Sequence, residues 1–395
     1  MTGPVFSAAP RLLGPTMVGQ TNRRRVLELL HQNGPSSRAE LARALNVSRA
    51  TVATILQPLI DDRTLVEGEP VAASPAGGKP ARPLWFNSDG VELGAMRISA
   101  TSMSVARIGM DGTIRVQGHG NLDVDAPVDE VRTALLELAA ACFGRRPLLG
   151  IGVAASGMVD TTAGVIISLH LAPVLNGFPL AEVLRRRFAT VVSVDHHPRV
   201  QALGDKWFGQ GRHRPSFASV YTGEALGFGI VYDGEIVRGV DGAGGEYGHT
   251  VVDMNGDWCM CGRRGCWETV ATWGWLRREA ARLGLAGAAG IDCAELTARV
   301  ERGVPAAAEL LDRYAHNLAI GMANNEHMLA SGVYIMHGDV CSGGEAMRRR
   351  LQHWLVEYSP RRGVTPQVIL GDVGDEITLL GGGGLVLSSI LATAV

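Results

Sequence analysis

The chain has 395 residues, 46% of them apolar and 19% charged, and a formal net charge of −2. This length predicts two or three domains. The near-neutral balance gives no global affinity for nucleic acid, and no apolar run approaches the ~18 residues that span a bilayer, so no membrane partner is expected.

Local charge is distributed differently. Residues 1–60 carry seven arginines against two glutamates, a basic head on a near-neutral body. The opening stretch, MTGPVFSAAPRLLGPTMVG, lacks a basic segment followed by an apolar core. A secretory signal is therefore not expected, and residues 1–19 read as a flexible leader. Six cysteines lie at 142, 259, 261, 266, 293 and 341, and only three of them cluster. That spacing argues against a disulfide framework and for a reducing, cytoplasmic setting with a metal site.

Residues 20–88 read as an α+β winged helix-turn-helix domain. A first helix, TNRRRVLELLHQNG, offers Val26, Leu27, Leu29 and Leu30 for packing. Arg23, Arg24 and Arg25 mark a solvated face, with phosphate contact as the functional alternative. Ser37-x-x-Glu40 is a capping box at the next helix start. Asn46 stands at a sharp turn that wants positive φ, and Ser48 can cap the helix after it. Val52, Ile55, Leu56 and Leu59 give that helix one apolar face. Its other face presents Ser48, Arg49, Ala50, Thr51 and Thr54 as candidate DNA contacts. TLVEGE and LWFN are two short strands, and Gly77-Gly78-Lys79-Pro80 with Arg82 makes a basic wing tip suited to a minor groove. Modules of this kind read operator DNA as dimers.

From Leu93 the chain alternates strand-like and helix-like stretches, which predicts an α/β body of two lobes with a cleft between them. The first lobe is expected over 89–195, with a helix at 376–395 packing back on it, and the second over 196–375. AMRISATSMSVARIGMDGTI reads as a hairpin turned at Asp111-Gly112, and FASVYTGEALGFGIVYDGEIV as another turned at Asp233-Gly234. The most specific stretch is GGEYGHTVVDMNGDWCMCGRRGCWE. His249, Cys259, Cys261 and Cys266 offer one imidazole and three thiols, the donor set of a closed, structural zinc site. One zinc per chain is expected.

Cys259-x-Cys261-Gly262-x-x-Gly265-Cys266-x-Glu268, preceded by Glu246-x-x-His249, resembles the signature of the ROK family of sugar kinases and sugar-responsive repressors. The resemblance covers about residues 90–395, and the winged helix is similar to the family's repressor branch. It implies an actin-like, two-lobed ATPase fold, a zinc ion beside a sugar pocket, and a homodimer or homotetramer. By the same resemblance Asn176, His196, His197, Glu246, His249 and Glu268 are candidate sugar contacts. Carboxylates and amides at a cleft also suit a neutral polyol.

The kinase positions of the family are altered. Asp195-His196-His197-Pro198-Arg199 falls on the family's Glu-Asn-Asp-Ala-Asn pattern, so His197 takes the place of the catalytic Asp. The first phosphate loop reads Arg97-Ile98-Ser99-Ala100-Thr101 and the second Gly223-Glu224-Ala225-Leu226-Gly227. Glu224 facing a phosphate at ~4 Å costs about 4 kcal/mol at an effective dielectric near 20. The nucleotide-side Gly-Gly reads His337-Gly338. A base without an aligned phosphoryl donor is idle, so no catalytic residue and no ATP cofactor are expected. Adjacent histidines rarely serve one ion. One is expected to line the pocket and the other to pack or hydrogen-bond locally.

The expected function is a sugar-responsive, DNA-binding transcriptional regulator, a repressor, bound to operator double-stranded DNA. The alternatives are a bifunctional sugar kinase with a regulatory head, and a regulator that no longer answers to a sugar.

Overall fold

The computed structural model describes residues 15–61, 63–71, 81–87, 91–242, 244–361, 363–371 and 374–393. The chain divides into two compact units, an N-terminal one of Met1–Val91 with Leu387–Val395 and a body over Glu92–Val386. Among the described residues no helix is long and apolar enough to cross a membrane.

The N-terminal unit begins with α1 (Pro15–Asn33), which starts inside the stretch expected to be a flexible leader. Proline at its first position has the fixed φ a helix start favours. β1 (Ser36–Ser37), α2 (Arg38–Ala44), α3 (Arg49–Asp61), β2 (Leu65–Glu67) and β3 (Pro83–Phe86) follow. The capping box of α2 is present: Ser37 Oγ accepts the Glu40 N–H at 3.3 Å and Glu40 Oε2 accepts the Ser37 N–H at 2.8 Å. Asn46 carries a φ of 53° between α2 and α3. Val26, Leu27, Leu30, Leu41, Val52, Leu56 and Leu59 are buried together. The small sheet has the order β1-β3-β2, one strand more than the sequence pattern predicts. β1 is two serines, too short and too polar to carry a strand signal. The wing tip at Gly77, Gly78, Lys79 and Pro80 lies outside the described residues.

The body opens with β4 (Glu92–Ile98), β5 (Ser102–Gly109) and β6 (Ile114–Asn121), an antiparallel meander. The hairpin expected here has a third strand, because the chain also turns at residues 99–101. Ser99 Oγ accepts the Ser102 N–H at 3.1 Å, closing that turn without a glycine, proline or asparagine to announce it. α4 (Val128–Phe143) leads to β7 (Leu148–Ala155), the ribbon β8 (Met158–Asp160) and β9 (Val165–Ser168), then α5 (Leu180–Phe188) and β10 (Val192–His196). The five-stranded sheet has the order β10-β7-β4-β5-β6, with β4, β7 and β10 parallel.

α6 (His197–Trp207) carries the chain to the second sheet, and every one of its residues is buried. β11 (Phe217–Thr222), β12 (Leu226–Tyr232) and β13 (Glu235–Ile236) form a second meander. α7 (Trp273–Arg282), α8 (Cys293–Glu301) and α9 (Pro305–Met328) cover it. β14 (Val333–Gly338), α10 (Asp339–Ser342), α11 (Gly344–Tyr358) and β15 (Gln367–Leu370) complete the sheet, whose order is β13-β12-β11-β14-β15. Each lobe is thus a meander extended by two parallel strands, of which the inner ones, β7 and β14, are mostly buried and read as apolar runs.

α12 (Glu376–Thr393) returns to the first sheet. It seats through glycine: a Cβ on Gly152 would lie 1.9 Å from the Gly382 carbonyl oxygen, and one on Gly381 1.9 Å from that of Val200. α6 and α12 therefore cross backbone against backbone.

Candidate functional site

The cysteine loop follows β13. A short turn at Tyr247–His249 presents His249. Beyond it, Val252 N–H donates to the Gly265 carbonyl at 2.8 Å, Cys259 N–H to that of Arg263 at 2.7 Å and Trp267 N–H to that of Thr250 at 2.8 Å. Gly265, with φ of 68°, passes so close to Asp253 that a Cβ would overlap its carbonyl oxygen. Trp267 anchors the loop against α9, its indole Nε1 donating to the Asn317 carbonyl at 2.8 Å.

These bonds gather His249, Cys259, Cys261 and Cys266, with one ligand atom of each within 4.8 Å of the others. His249 Nδ1 is 3.5 Å from Cys259 Sγ, and the Cys261 and Cys266 sulfurs are 3.6 Å apart. A zinc–thiolate tetrahedron with bonds of ~2.3 Å has edges of about 3.8 Å, so the donor set fits. Burial pushes the Cys266 thiol up to about 12, with Cys261 and Cys259 adding to it. In Cys261 burial is outweighed by hydrogen bonds from Arg263, which bring it down to about 7. A dication removes this conflict, because coordinated thiols ionise together.

Two cavities flank the loop. One, of about 440 Å³, is lined by Asp160, Thr162, Ile167, His196, Arg199 and Glu246 among others. The second, of about 450 Å³, is lined by Glu224, Trp258, Glu268 and Thr272 among others. His249 stands between them: its Nε2 is 4.0 Å from Glu246 and its Nδ1 3.5 Å from Glu268. His196 Nδ1 is 3.9 Å from Glu246. Burial first, then Arg199 and His197, push the His196 imidazole down to about 3, so it is neutral at physiological pH.

The structure thus brings His196 and Glu246 to one side of the loop and Glu268 to the other, with His249 between them. Asn176 lines neither cavity; its Oδ1 accepts the Leu169 N–H at 2.7 Å and folds that loop. His197 is buried, with Nε2 2.8 Å from Asp375 Oδ2. Three polar side chains of the first cavity are given no site role in the sequence reading: Asp160, Thr162 and Arg199. Arg199 had a usable signal, an aspartate four residues earlier. Its Nε donates to Asp195 Oδ1 at 2.6 Å and its Nη1 to the carbonyls of Gly242 and Gly244, strapping that loop over the cavity.

In the N-terminal unit, Arg49, Ala50, Thr51 and Thr54 are exposed along α3, and Arg82 is exposed before β3. Ser48 is also exposed, with its Oγ accepting the Thr51 N–H at 3.0 Å as a helix cap. Lys79 lies outside the described residues.

A family model described as ROK family matches residues 93–388. The chain belongs to the ROK family. A second model, described as winged helix-turn-helix DNA-binding, matches residues 20–63. The xylose repressor of Bacillus spizizenii is 27% identical over 65% of this chain and 67% of its own length. The glucokinase of Thermotoga maritima is 27% identical over 76% of this chain and 97% of its own length. Among solved structures, a ROK family transcriptional regulator described as a homolog of the E. coli MLC protein superposes with a TM-score of 0.79 at 23% identity, over 95% of this chain and 97% of its own. A ROK glucokinase from Streptomyces griseus, solved with glucose and AMPPNP, superposes with 0.62 at 23% identity, over 74% and 97%. The fold is therefore a winged helix-turn-helix followed by the two-lobed, actin-like ROK body.

Within that ROK body, Arg97, His197 and His337 among the altered kinase positions are engaged internally, while Glu224 is exposed. Arg97 Nε lies 3.4 Å from Asp375 Oδ2. Glu224 sits on the β11–β12 turn and lines the second cavity. His337 is 1% exposed, with Nε2 2.8 Å from Asp205 Oδ2, which also accepts the Ser219 hydroxyl.

Proposed function

We propose that this ROK protein is a sugar-responsive transcriptional repressor. The winged helix binds operator double-stranded DNA through Arg49, Ala50, Thr51, Thr54, Lys79 and Arg82, with Ser48 capping the reading helix. The protein works in the cytoplasm as a homodimer or homotetramer. His249, Cys259, Cys261 and Cys266 hold one zinc ion, which fixes the loop that carries Glu246 and Glu268. The zinc supplies shape rather than a reactive centre, since all four positions of a closed tetrahedron come from protein.

The cleft beside that loop takes a sugar or sugar derivative. His196, neutral and partly buried, offers one donor and one acceptor, and Glu246 accepts from hydroxyls. His249 Nδ1 faces the thiols, so Nε2 is left for the cleft side. A ligand preferring one lobe arrangement shifts the equilibrium and, through it, the affinity for DNA. Asn176, His197 and Glu268 act here by holding loops in place around the ligand.

Phosphoryl transfer is lost in this reading. The observation that carries it is Asp375: an internal carboxylate on Arg97 and His197, where a kinase would need room for phosphate. The test is binding of the purified protein to DNA upstream of its own coding region, titrated with a panel including xylose, glucose and amino sugars. Release by at least one sugar is expected; identical binding with every sugar would sink the effector reading.

A further inference from the structure

We propose that Asp375 is an internal latch: it ties together the two chain crossings between the lobes and couples them to the cleft through His196. The coupling to the cleft rests on the effector reading above; the latch itself does not.

The chain passes from the first lobe to the second at the β10–α6 junction and returns between β15 and α12. His197 is the first residue of α6, and Asp375 immediately precedes α12. Their side chains meet at 2.8 Å across 178 residues of sequence. The same carboxylate faces Arg97 Nε of β4 at 3.4 Å, and its other oxygen accepts from Gln201 Nε2 at 3.3 Å and from the Thr378 hydroxyl. Arg97 is braced on the far side by Ser102 and Ser104. Tyr221 of β11 meets the His197 ring edge to face, with centroids 5.1 Å apart. One carboxylate therefore reaches the first sheet and both crossing helices directly, and the second sheet through His197.

The side chains of Arg97, His197 and Asp375 are 20%, 9% and 13% exposed, so the charges are largely out of water. A guanidinium left alone there would be costly, and Asp375 offsets it. Burial works against the ionised carboxylate, but His197, Arg97 and Thr378 outweigh it and hold its pKa below the usual range. Chemically the arrangement is an oxyanion hole filled from within: one guanidinium, one imidazole, one amide and one hydroxyl converge on it.

His196 lines the cleft cavity and His197 holds the latch. The two side chains point apart where β10 gives way to α6, so one peptide unit separates the sensor from the clasp. A ligand that displaces His196 must move His197 against Asp375.

The full-length protein is tested with Asp375→Ala, which empties the hole, and Asp375→Asn, which keeps it filled without charge. Thermal melting is read in chloride and in inorganic phosphate at matched ionic strength, and amide exchange over residues 196–201 and 374–379, all without sugar. Wild type should gain only the general rise that an excluded salt gives. Asp375→Ala should melt several degrees lower in chloride and recover saturably with phosphate, while Asp375→Asn should melt lower without recovery. Both variants should exchange faster at both crossings. The latch is overturned if Asp375→Ala melts and exchanges like wild type, or if phosphate raises all three proteins equally, as an excluded salt does. Should the alanine protein not fold, unchanged exchange at residues 196–201 in Asp375→Asn overturns it and faster exchange there supports it. A cleft that binds no sugar leaves these results standing, and a failed phosphate recovery leaves the effector reading standing.

Discussion

Arg199 and Asp195 form a buried ion pair, 2.6 Å from Nε to Oδ1, across the junction where β10 becomes α6. Arg238 takes the other carboxylate oxygen at 3.0 Å. Removing Arg199 leaves Asp195 half-paired and two loop carbonyls without their donor. Arg199→Met should cost about 3 kcal/mol, within the usual range for breaking a buried pair. Urea unfolding checks this. The double variant Arg199→Met with Asp195→Asn should regain part of the loss; strict additivity would mean the pair contributes nothing of its own.

The four-ligand loop should hold about one zinc per chain. Cys266→Ser should reduce zinc content by elemental analysis to well under that and lower the melting temperature, since the loop has lost its central tie. Protein purified without chelators that contains no zinc would contradict the ligand set.

On the winged helix, Arg49→Ala should weaken operator binding about tenfold or more, the usual cost of one base-reading arginine. The sugar response should persist in the residual binding. Fluorescence anisotropy against specific and scrambled DNA separates the two effects, and equal losses on both would make Arg49 a phosphate contact instead.

His196 makes a signed pH prediction. Unfolded, its imidazole protonates near 6.5; folded, burial holds it down to about 3. The unfolded chain therefore binds the extra proton between those values. The contribution to stability is complete above pH 6.5 and declines as pH falls toward 3. His196→Asn should flatten that part of the profile. Parallel slopes for wild type and variant between pH 7 and 5 would refute it.

A coupled assay with ATP across hexoses and amino sugars should show no turnover in the ~1–100 s⁻¹ range of kinases. His197→Asp alone should not restore it, because Arg97, Glu224 and Asp375 remain where the phosphates would sit. Turnover in that variant would show that one lost base was the whole defect.

Local chemistry was readable before the fold. The capping box at Ser37, the turn at Asn46 and the Cys259–Cys266 cluster each span a few residues and impose their geometry within that span. The sequence shows the β4–β5–β6 meander as a hairpin, because the Ser99 turn is closed by a hydroxyl that leaves no compositional mark. Asp375 carries no signal in the sequence: its partners Arg97, His197 and Gln201 lie on β4 and α6, far away in sequence, and an aspartate before a helix reads as an ordinary cap. Glu268 and His197 sit apart from the cavity of Glu246 and His196 because side-chain direction, rather than proximity in a motif, decides which cavity a residue lines.

Gly381, Gly382, Gly383 and Gly384 stand in a row inside α12. Each costs the helix about 1 kcal/mol against alanine, so α12 has little reason to be helical before it finds its seat. Its order of assembly follows. We expect β4, β7 and α6 to come together first and α12 to condense into the trough they leave. Alanine at Gly383, where the nearest neighbour is the tip of Leu93 at 3.3 Å, should hasten that last step. The same methyl at Gly382, 2.8 Å from the Gly152 carbonyl oxygen, should bar it.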